Sequence, residues 1–211
     1  MKKLVITIPT YNEFNYLKVN LSTLIPQINK HKKNVDLYLF DNNSTDETGI
    51  EVPLLFKNHS NCFYIKNEKN IGLYQNQLKC LKVDNYMYKM VVGSDDIILP
   101  DSIDTILSYI DKGDFALLFS NYYSFIDDYM NPHQFFAEQK DIVFPRAYDL
   151  LNHPSVGHFS GFIFRNEYVN KYLDILLKEY EDSFFEKHRG IIAFLAAYTC
   201  SQENKNTFFI G

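Results

Sequence analysis

Hydrophobic positions in the first 120 residues follow two alternating rhythms. Short apolar runs alternate with longer stretches in which apolar residues recur three and four places apart. LVITIP (4–9), VDLYLFD (35–41), NCFYIKN (61–67) and YMYKMVV (86–92) read as strands, and FALLFS (115–120) begins a fifth. Between the first two, Phe14, Leu17, Leu21, Leu24, Ile25 and Ile28 keep helical spacing, and Pro26 is expected to kink or end that helix. After the second strand, Ser44 and Glu47 stand three apart as in a helix-capping box, while Gly49 and Pro53 keep any helix there short. A helix over roughly 73–83 carries Leu73, Leu78 and Leu81 inward; another near 101–112 gathers Ile103, Ile106, Leu107 and Ile110 on one face.

This alternation predicts an α/β fold with a mostly parallel sheet flanked by helices. Right-handed crossovers then bring every strand's C-terminal end to one edge, where open sheets of this kind bind ligands. Past residue 120 the rhythm breaks. The stretch 121–134 is aromatic and turn-rich, and reads as a strand or hairpin followed by loop. GFIFR (161–165) reads as a strand, 167–180 as an amphipathic helix and 184–200 as a second helical stretch. The terminal TFFIG is strand-like and lacks a polar tail, which predicts a longer protein continuing beyond it. We expect a single domain over 1–211, with halves at 1–112 and 113–211.

Composition changes this picture little. Hydrophobic residues make up 46% and charged residues 22%, an ordinary soluble balance, and a chain of 211 residues can bury one continuous core. The formal net charge of −5 argues against the broad basic footprint of a nucleic-acid binder. Cys62, Cys80 and Cys200 are odd in number and widely spaced, so neither a disulfide framework nor a zinc site is expected, and reduced thiols favour a cytosolic setting. The apolar run before Pro9 is too short for a signal peptide, and 191–200 is about half a membrane span.

The chemistry gathers at the strand ends. The four strands run into PTYNE (9–13), DNNSTDE (41–47), NEKNIG (67–72) and GSDD (93–96), all polar, small or acidic. Each alone reads as an ordinary turn or helix cap. Four on one predicted edge point to a ligand site instead. Adjacent Asp95 and Asp96 repel each other at a cost of about 1 kcal/mol or more. A divalent cation turns that cost into a binding site, and Mg²⁺ or Mn²⁺ needs only one or two carboxylates when substrate phosphates supply the rest. Gly93 and Ser94 are small enough to let a ligand approach closely.

Taken together, IPTYNE, FDNNSTDET, NIGLYQNQ and GSDDIILP resemble the nucleotide-sugar half of glycosyltransferase family 2, over residues 4 to about 112. GHFSGFIFR (157–165) is similar, more weakly, to that family's acceptor-side strand. The resemblance implies a GT-A fold, Rossmann-like and mostly parallel, with a mixed acceptor-side part after 112, and an inverting transfer. It assigns Pro9, Tyr11 and Glu13 to the loop along the base and ribose. Asp41 would accept a hydrogen bond from uracil, with Asn43 in the same loop. Asn70 and Gly72 would lie beside the ribose and diphosphate, with Asn76 on the helix behind. Ser94, Asp95 and Asp96 match a DXD-type motif, in which Asp96 would bind Mg²⁺ or Mn²⁺ and Asp95 would meet the ribose or sugar. Serine at the first position removes one carboxylate.

An inverting transfer also needs a base for the acceptor hydroxyl. The resemblance points to YEDSFFEKHRG (180–190), with Asp182 as the nearest match, although Arg189 falls one place late; His188 is a second candidate. Glu181 and Asp182 read equally well as a charged helix end. The expected partners are a nucleotide-diphosphate sugar, with UDP favoured through Asp41, and a glycan or lipid-linked acceptor. The expected setting is cytoplasmic, in bacterial polysaccharide biosynthesis, with room for peripheral contact at the inner membrane face. A non-catalytic nucleotide-sugar-binding module is the alternative. A receiver domain is excluded because its acid pair follows the first strand; a nucleotidyltransferase stays open, although its N-terminal glycine-rich phosphate loop is absent.

Overall fold

A computed structural model describes the whole chain except residues 127, 132, 136–139, 153–157, 181, 183, 185–189, 204 and 211. The order is β1 (Lys2–Thr10), α1 (Phe14–Lys30), β2 (Val35–Asp41), α2 (Thr48–Phe56), β3 (Cys62–Lys66), α3 (Leu73–Leu81), β4 (Tyr86–Val91) and α4 (Ser102–Lys112). Then follow β5 (Leu117–Ser120), β6 (Tyr123–Ser124), β7 (Gln134–Phe135), β8 (Ile142–Phe144) and α5 (Ala147–Leu151). A 3₁₀ turn at Phe159–Gly161 leads into β9 (Phe162–Arg165), α6 (Asn166–Glu179), α7 (Ile191–Gln202) and β10 (Thr207–Ile210).

One eight-stranded sheet runs in the order β3-β2-β1-β4-β9-β5-β10-β8. The pairs β3–β2, β2–β1, β1–β4 and β5–β10 are parallel, so the sheet is mostly parallel as the alternation predicts. The fifth strand does not pair with the fourth: β9 lies between them, antiparallel to both. That insertion carries the start of β9, and the turn before it, to the same edge as the end of β4. Strand β8 is antiparallel at the far edge, and β6 and β7 form a separate hairpin.

Two apolar layers sandwich the sheet. Leu17, Leu21 and Leu24 of α1, Val52 of α2 and Ile103 and Ile106 of α4 pack on Leu4, Ile6, Ile8, Leu37 and Leu39. On the other face, Leu78 of α3, Val169 and Leu173 of α6 and Ile192 and Leu195 of α7 pack with Phe119, Phe162 and Phe164. Each such fully buried side chain contributes about 1.5–3 kcal/mol of transfer free energy. The cysteines are buried and unpaired, and burial pushes their thiols up to about 12. Among the described residues no helix is long and apolar enough to cross a membrane.

Two local expectations are corrected. Helix α1 does not end at Pro26 but continues to Lys30, because buried Gln27 anchors the last turn. The Gln27 amide donates to the Leu99 carbonyl at 3.0 Å and accepts from the Ile103 N–H at 3.1 Å. Ser44 and Glu47 form no capping box: α2 starts at Thr48 without a side-chain cap, and the Ser44 hydroxyl accepts from the Asn12 N–H at 3.0 Å. Ser44 therefore ties two strand-end loops together. The helical stretch expected at 184–200 is α7 from Ile191 onward, and 185–189 lie outside the described residues.

Candidate active site

Strands β1, β2, β3 and β4 point the same way, so their following loops share one edge. Between the first three lies an open cleft of about 290 Å³, lined by Pro9, Thr10, Tyr11, Glu13, Asn42, Asn70, Gly72, Leu73 and Asn76. Its floor is a mesh of asparagines. Asn42 donates through Nδ2 to Asn70 Oδ1 at 2.8 Å, and its own Oδ1 accepts from Asn67 Nδ2 at 3.0 Å and from the Ile71 N–H at 2.9 Å. Asn76 donates to the Phe40 carbonyl at 2.8 Å, tying α3 to β2. Gly72 adopts φ +83, a conformation that side-chain-bearing residues rarely take, as the chain turns into α3. The sequence brings Pro9, Tyr11, Glu13, Asn70, Gly72 and Asn76 to this cleft. It is Asn42 rather than its neighbour Asn43 that lines it; Asn43 is half-buried in a left-handed conformation.

Asp41 sits at the end of β2 with no exposed surface. Its Oδ1 accepts from the Ser44 N–H at 2.8 Å, its Oδ2 accepts from the Tyr64 hydroxyl at 2.5 Å, and Lys66 Nζ stands 4.0 Å away. Burial, with the carboxylate beside it, raises the pKa of the Tyr64 phenol, so it stays a donor. With no exposed surface, Asp41 does not line the cleft, and Ser44 and Tyr64 engage both of its oxygens.

The loop 93–96 follows β4, one strand away from β2 across β1. Ser94 is buried and donates its hydroxyl to Glu13 Oε2 in a short contact, which joins this loop to the cleft wall. Asn20 of α1 donates to the Gly93 carbonyl at 3.1 Å and also to the Asp96 carbonyl. Ser160, in the turn before β9, accepts from the Gly93 N–H at 2.9 Å and donates to Asp96 Oδ2 at 2.5 Å. The other oxygen, Asp96 Oδ1, lies 3.5 Å from His158 Nε2. Burial raises the Asp96 pKa, opposed by His158 and the Ser160 hydroxyl. Asp95 is exposed beside it. A Cβ on Gly93 would lie 2.7 Å from Asp96 Oδ2 and 2.8 Å from Asp95 Oδ1, so glycine leaves both carboxylates their space.

Asp182, from the other end of the chain, meets the first turn of α3. Its oxygens accept from the Tyr74 hydroxyl at 3.0 Å and from Gln75 Nε2 at 3.1 Å, both at the start of α3 directly after Gly72 and Leu73. His188, the second base candidate, lies outside the described residues, as do Glu181 and Arg189.

This edge has counterparts in known proteins. The profile of Glycosyl transferase family 2 matches residues 5–173, a span that takes in all four loops and β9. The chain belongs to that family. Among similar glycosyltransferases, the abequosyltransferase RfbV of Salmonella typhimurium LT2 is 33% identical over 107 residues, 50% of this chain and 32% of its own length. The glycosyltransferase GlyA of Streptococcus pneumoniae serotype 4 is 30% identical over 123 residues, 58% of this chain and 17% of its own. The chain therefore spans about a third or less of those relatives. Residues 1–349 of Staphylococcus aureus TarS superpose with a TM-score of 0.74 at 20% identity, covering 98% of this chain and 57% of that one; the same fragment is also solved with UDP. A mannosyltransferase of Pyrobaculum calidifontis, solved with GDP-Man and Mn²⁺, superposes at 0.56 with 12% identity over 81% of this chain and 47% of its own. The fold is that of the GT-A glycosyltransferases.

Sequence reasoning missed several residues that shape this edge of the sheet. Asn42 and Asn67 build the floor, Asn20 and Ser160 clamp the 93–96 loop, and Tyr74 and Gln75 hold Asp182. Asn20 and Tyr74 sit in helices at positions that read as ordinary helix faces. Asn42 carries the same local signal as any turn asparagine. Only the doubled N–N at 42–43 marks that loop, and it does not say which of the two faces the ligand.

Proposed function

We propose that the protein transfers a sugar from a nucleotide-diphosphate donor, with UDP the favoured nucleotide, to a hydroxyl of a glycan or lipid-linked acceptor. The observation that carries this reading is the junction of two features: a cleft built by three strand-end loops, and the Asp95–Asp96 loop fastened to its wall through the Ser94–Glu13 hydrogen bond. TarS, whose fold this chain shares, has been solved with UDP and with UDP-GlcNAc, which supports a uridine nucleotide donor here.

The residues present fit a hard divalent cation. Asp96 supplies an oxygen donor that Ser160 orients and that burial leaves short of compensation as an anion. Among the described residues no cluster of three or more His, Cys, Asp or Glu side chains is assembled to hold an ion, so a bound diphosphate has to complete the shell. Asp96 would hold Mg²⁺ or Mn²⁺, which when bound supplies positive charge against the departing diphosphate.

The protein's own groups divide the remaining work. Tyr11 and Pro9 offer the flat, partly apolar wall on which a base can lie, and Glu13 fixes Ser94 while facing the ribose. Base recognition is assigned to Asp41 and Asn43, neither of which lines the cleft. Asp41 has no exposed surface, so a ring N–H would reach it only by displacing the Tyr64 hydroxyl, while Asn42 is the residue of that loop that faces the cleft. Asn70, Gly72 and Asn76 border the ribose and diphosphate, and Asp95 meets the ribose or sugar. Asp182 takes the proton from the acceptor hydroxyl as that oxygen attacks the anomeric carbon from the face opposite the leaving group, which makes the transfer inverting. An exposed carboxylate held by Tyr74 and Gln75 keeps acceptor capacity for that proton. The reaction would serve bacterial surface-polysaccharide assembly from the cytoplasmic side.

Donor hydrolysis tests the reading. Incubation with UDP-sugars and Mn²⁺ should release UDP slowly, and release should stop with chelator. Tight donor binding without release would make the chain a nucleotide-sugar-binding module, and absence of binding to any nucleotide would overturn the assignment.

A further inference from the structure

The DXD-type motif of this chain has lost its first carboxylate, and the serine in that place is committed elsewhere: Ser94 is buried and donates to Glu13. The fold supplies a different donor at the same edge. Because β9 is antiparallel to β4 and paired with it, the turn ahead of β9 comes back over the end of β4. His158 opens that turn and places Nε2 3.5 Å from Asp96 Oδ1. Ser160 holds the opposite oxygen, Oδ2, and is itself fixed by the Gly93 N–H, so the carboxylate presents Oδ1 toward the imidazole. The ring is held in orientation by stacking on Phe159 at a centroid distance of 5.5 Å and by a tilted contact with Tyr122 at 5.2 Å. The side chains of His158 and Asp96 keep 38% and 27% exposure, so neither is sealed from solvent.

We propose that His158 is a second protein ligand to the divalent cation at Asp96, taking the coordination position that the missing first acid would otherwise fill. This rests on the functional reading above. Neighbouring donors around an octahedral ion of this size lie about 3 Å apart, and the observed separation of 3.5 Å closes to that value with a small rotation of the imidazole. A mixed carboxylate–imidazole pair also changes which metal is preferred. Imidazole favours transition metals over Mg²⁺, so this protein should select Mn²⁺ or Co²⁺ over Mg²⁺ by more than an all-carboxylate site does.

Pulsed electron paramagnetic resonance on the Mn²⁺–UDP complex of the full chain reads the ligand directly. Wild-type protein should show nitrogen modulation from a coordinated imidazole, and the pattern should change to that of ¹⁵N when the protein is labelled only in its histidines. In His158→Gln the modulation should vanish, the Mn²⁺ affinity in the presence of UDP should fall at least about tenfold, and the preference for Mn²⁺ over Mg²⁺ should shrink. Because the isotope experiment uses unmutated protein, it decides the matter even if the variant folds poorly. Mn²⁺ and UDP bound without histidine nitrogen coupling would overturn this inference and leave the donor site standing. Coupling that persists in folded His158→Gln would assign the ligand to another histidine and overturn it equally. Failure of wild type to bind Mn²⁺ with UDP would remove both.

Discussion

Asp96 and Asp182 are the two carboxylates to which the proposed reaction assigns metal binding and proton removal, and their surroundings differ. Asp96 is largely buried, oriented by Ser160, and its ionised form is disfavoured by burial until a cation arrives. Asp182 is exposed, and among the described residues its hydrogen-bond donors are the neutral Tyr74 and Gln75. Replacing Asp182 with Asn keeps the shape and removes the proposed base. We expect kcat for sugar transfer to fall about 10²–10⁴-fold with the donor KM nearly unchanged, measured by UDP release at saturating acceptor; an unchanged kcat would move the base elsewhere. At the cleft floor, Asn42→Ala should cost about 1–3 kcal/mol of stability, because buried Asn67 and the Ile71 N–H lose their acceptor. Chemical denaturation would measure it, and a neutral effect would mean that water substitutes for the side chain. Charged residues at strand ends were legible in the sequence, since adjacent like charges need a reason. Neutral ones such as Asn42 and Ser160 were not, because a turn explains them equally well and only their partners reveal otherwise.

The elements of the first half were legible because period and punctuation agree there. Apolar runs, helical spacings and polar breaks mark β1 to β4, α3 and α4 within a residue or two, whereas α1 runs on past Pro26 and α2 starts at Thr48 without the expected cap. Short elements after 120 were not, since β8 and α5 span too few residues to establish a period. The position of β9 was equally hidden: its sequence shows a strand but not the neighbours it inserts between, and that insertion is what brings Ser160 and His158 to Asp96. Pro26 shows a local rule overruled by tertiary contacts. An internal proline costs a helix about 3 kcal/mol, yet α1 continues because Gln27 is bonded to the segment leading into α4. Pro26→Ala should therefore raise the melting temperature, by an amount equivalent to about 1 kcal/mol or more once the unfolded chain's added freedom is counted. A lowered melting temperature would show that the proline is a net stabiliser at this position.

At the scale of the molecule, one sheet joins the two halves of the chain, so the proposed site would draw on both: loops after β1 to β4, the turn before β9, and Asp182. Its stability should also carry a pH signature from the interior. Lys89 of β4 has no exposed surface, and burial pulls its pKa from 10.5 to about 7 while it donates to the Leu81 carbonyl at the end of α3. Below about 7 the ammonium is charged in both folded and unfolded chains, and the burial penalty is present in full. Between that value and 10.5 the unfolded chain binds more protons than the folded one, so stability rises with pH. Lys89→Met should remove that rise, which reaches about 1.4 kcal/mol per pH unit, over pH 7 to 9, where the tyrosines are still protonated. Denaturation curves of both proteins across that range check it, and parallel slopes would show that Lys89 stays charged in the fold.

The most direct test of the donor site is calorimetric titration of UDP into the chain with Mn²⁺ and with chelator, repeated on Asp96→Ala. Binding that needs the metal in wild type, and is weakened at least about a hundredfold by the substitution, is the expected result. UDP affinity that is indifferent to both metal and Asp96, or no affinity at all, would contradict it.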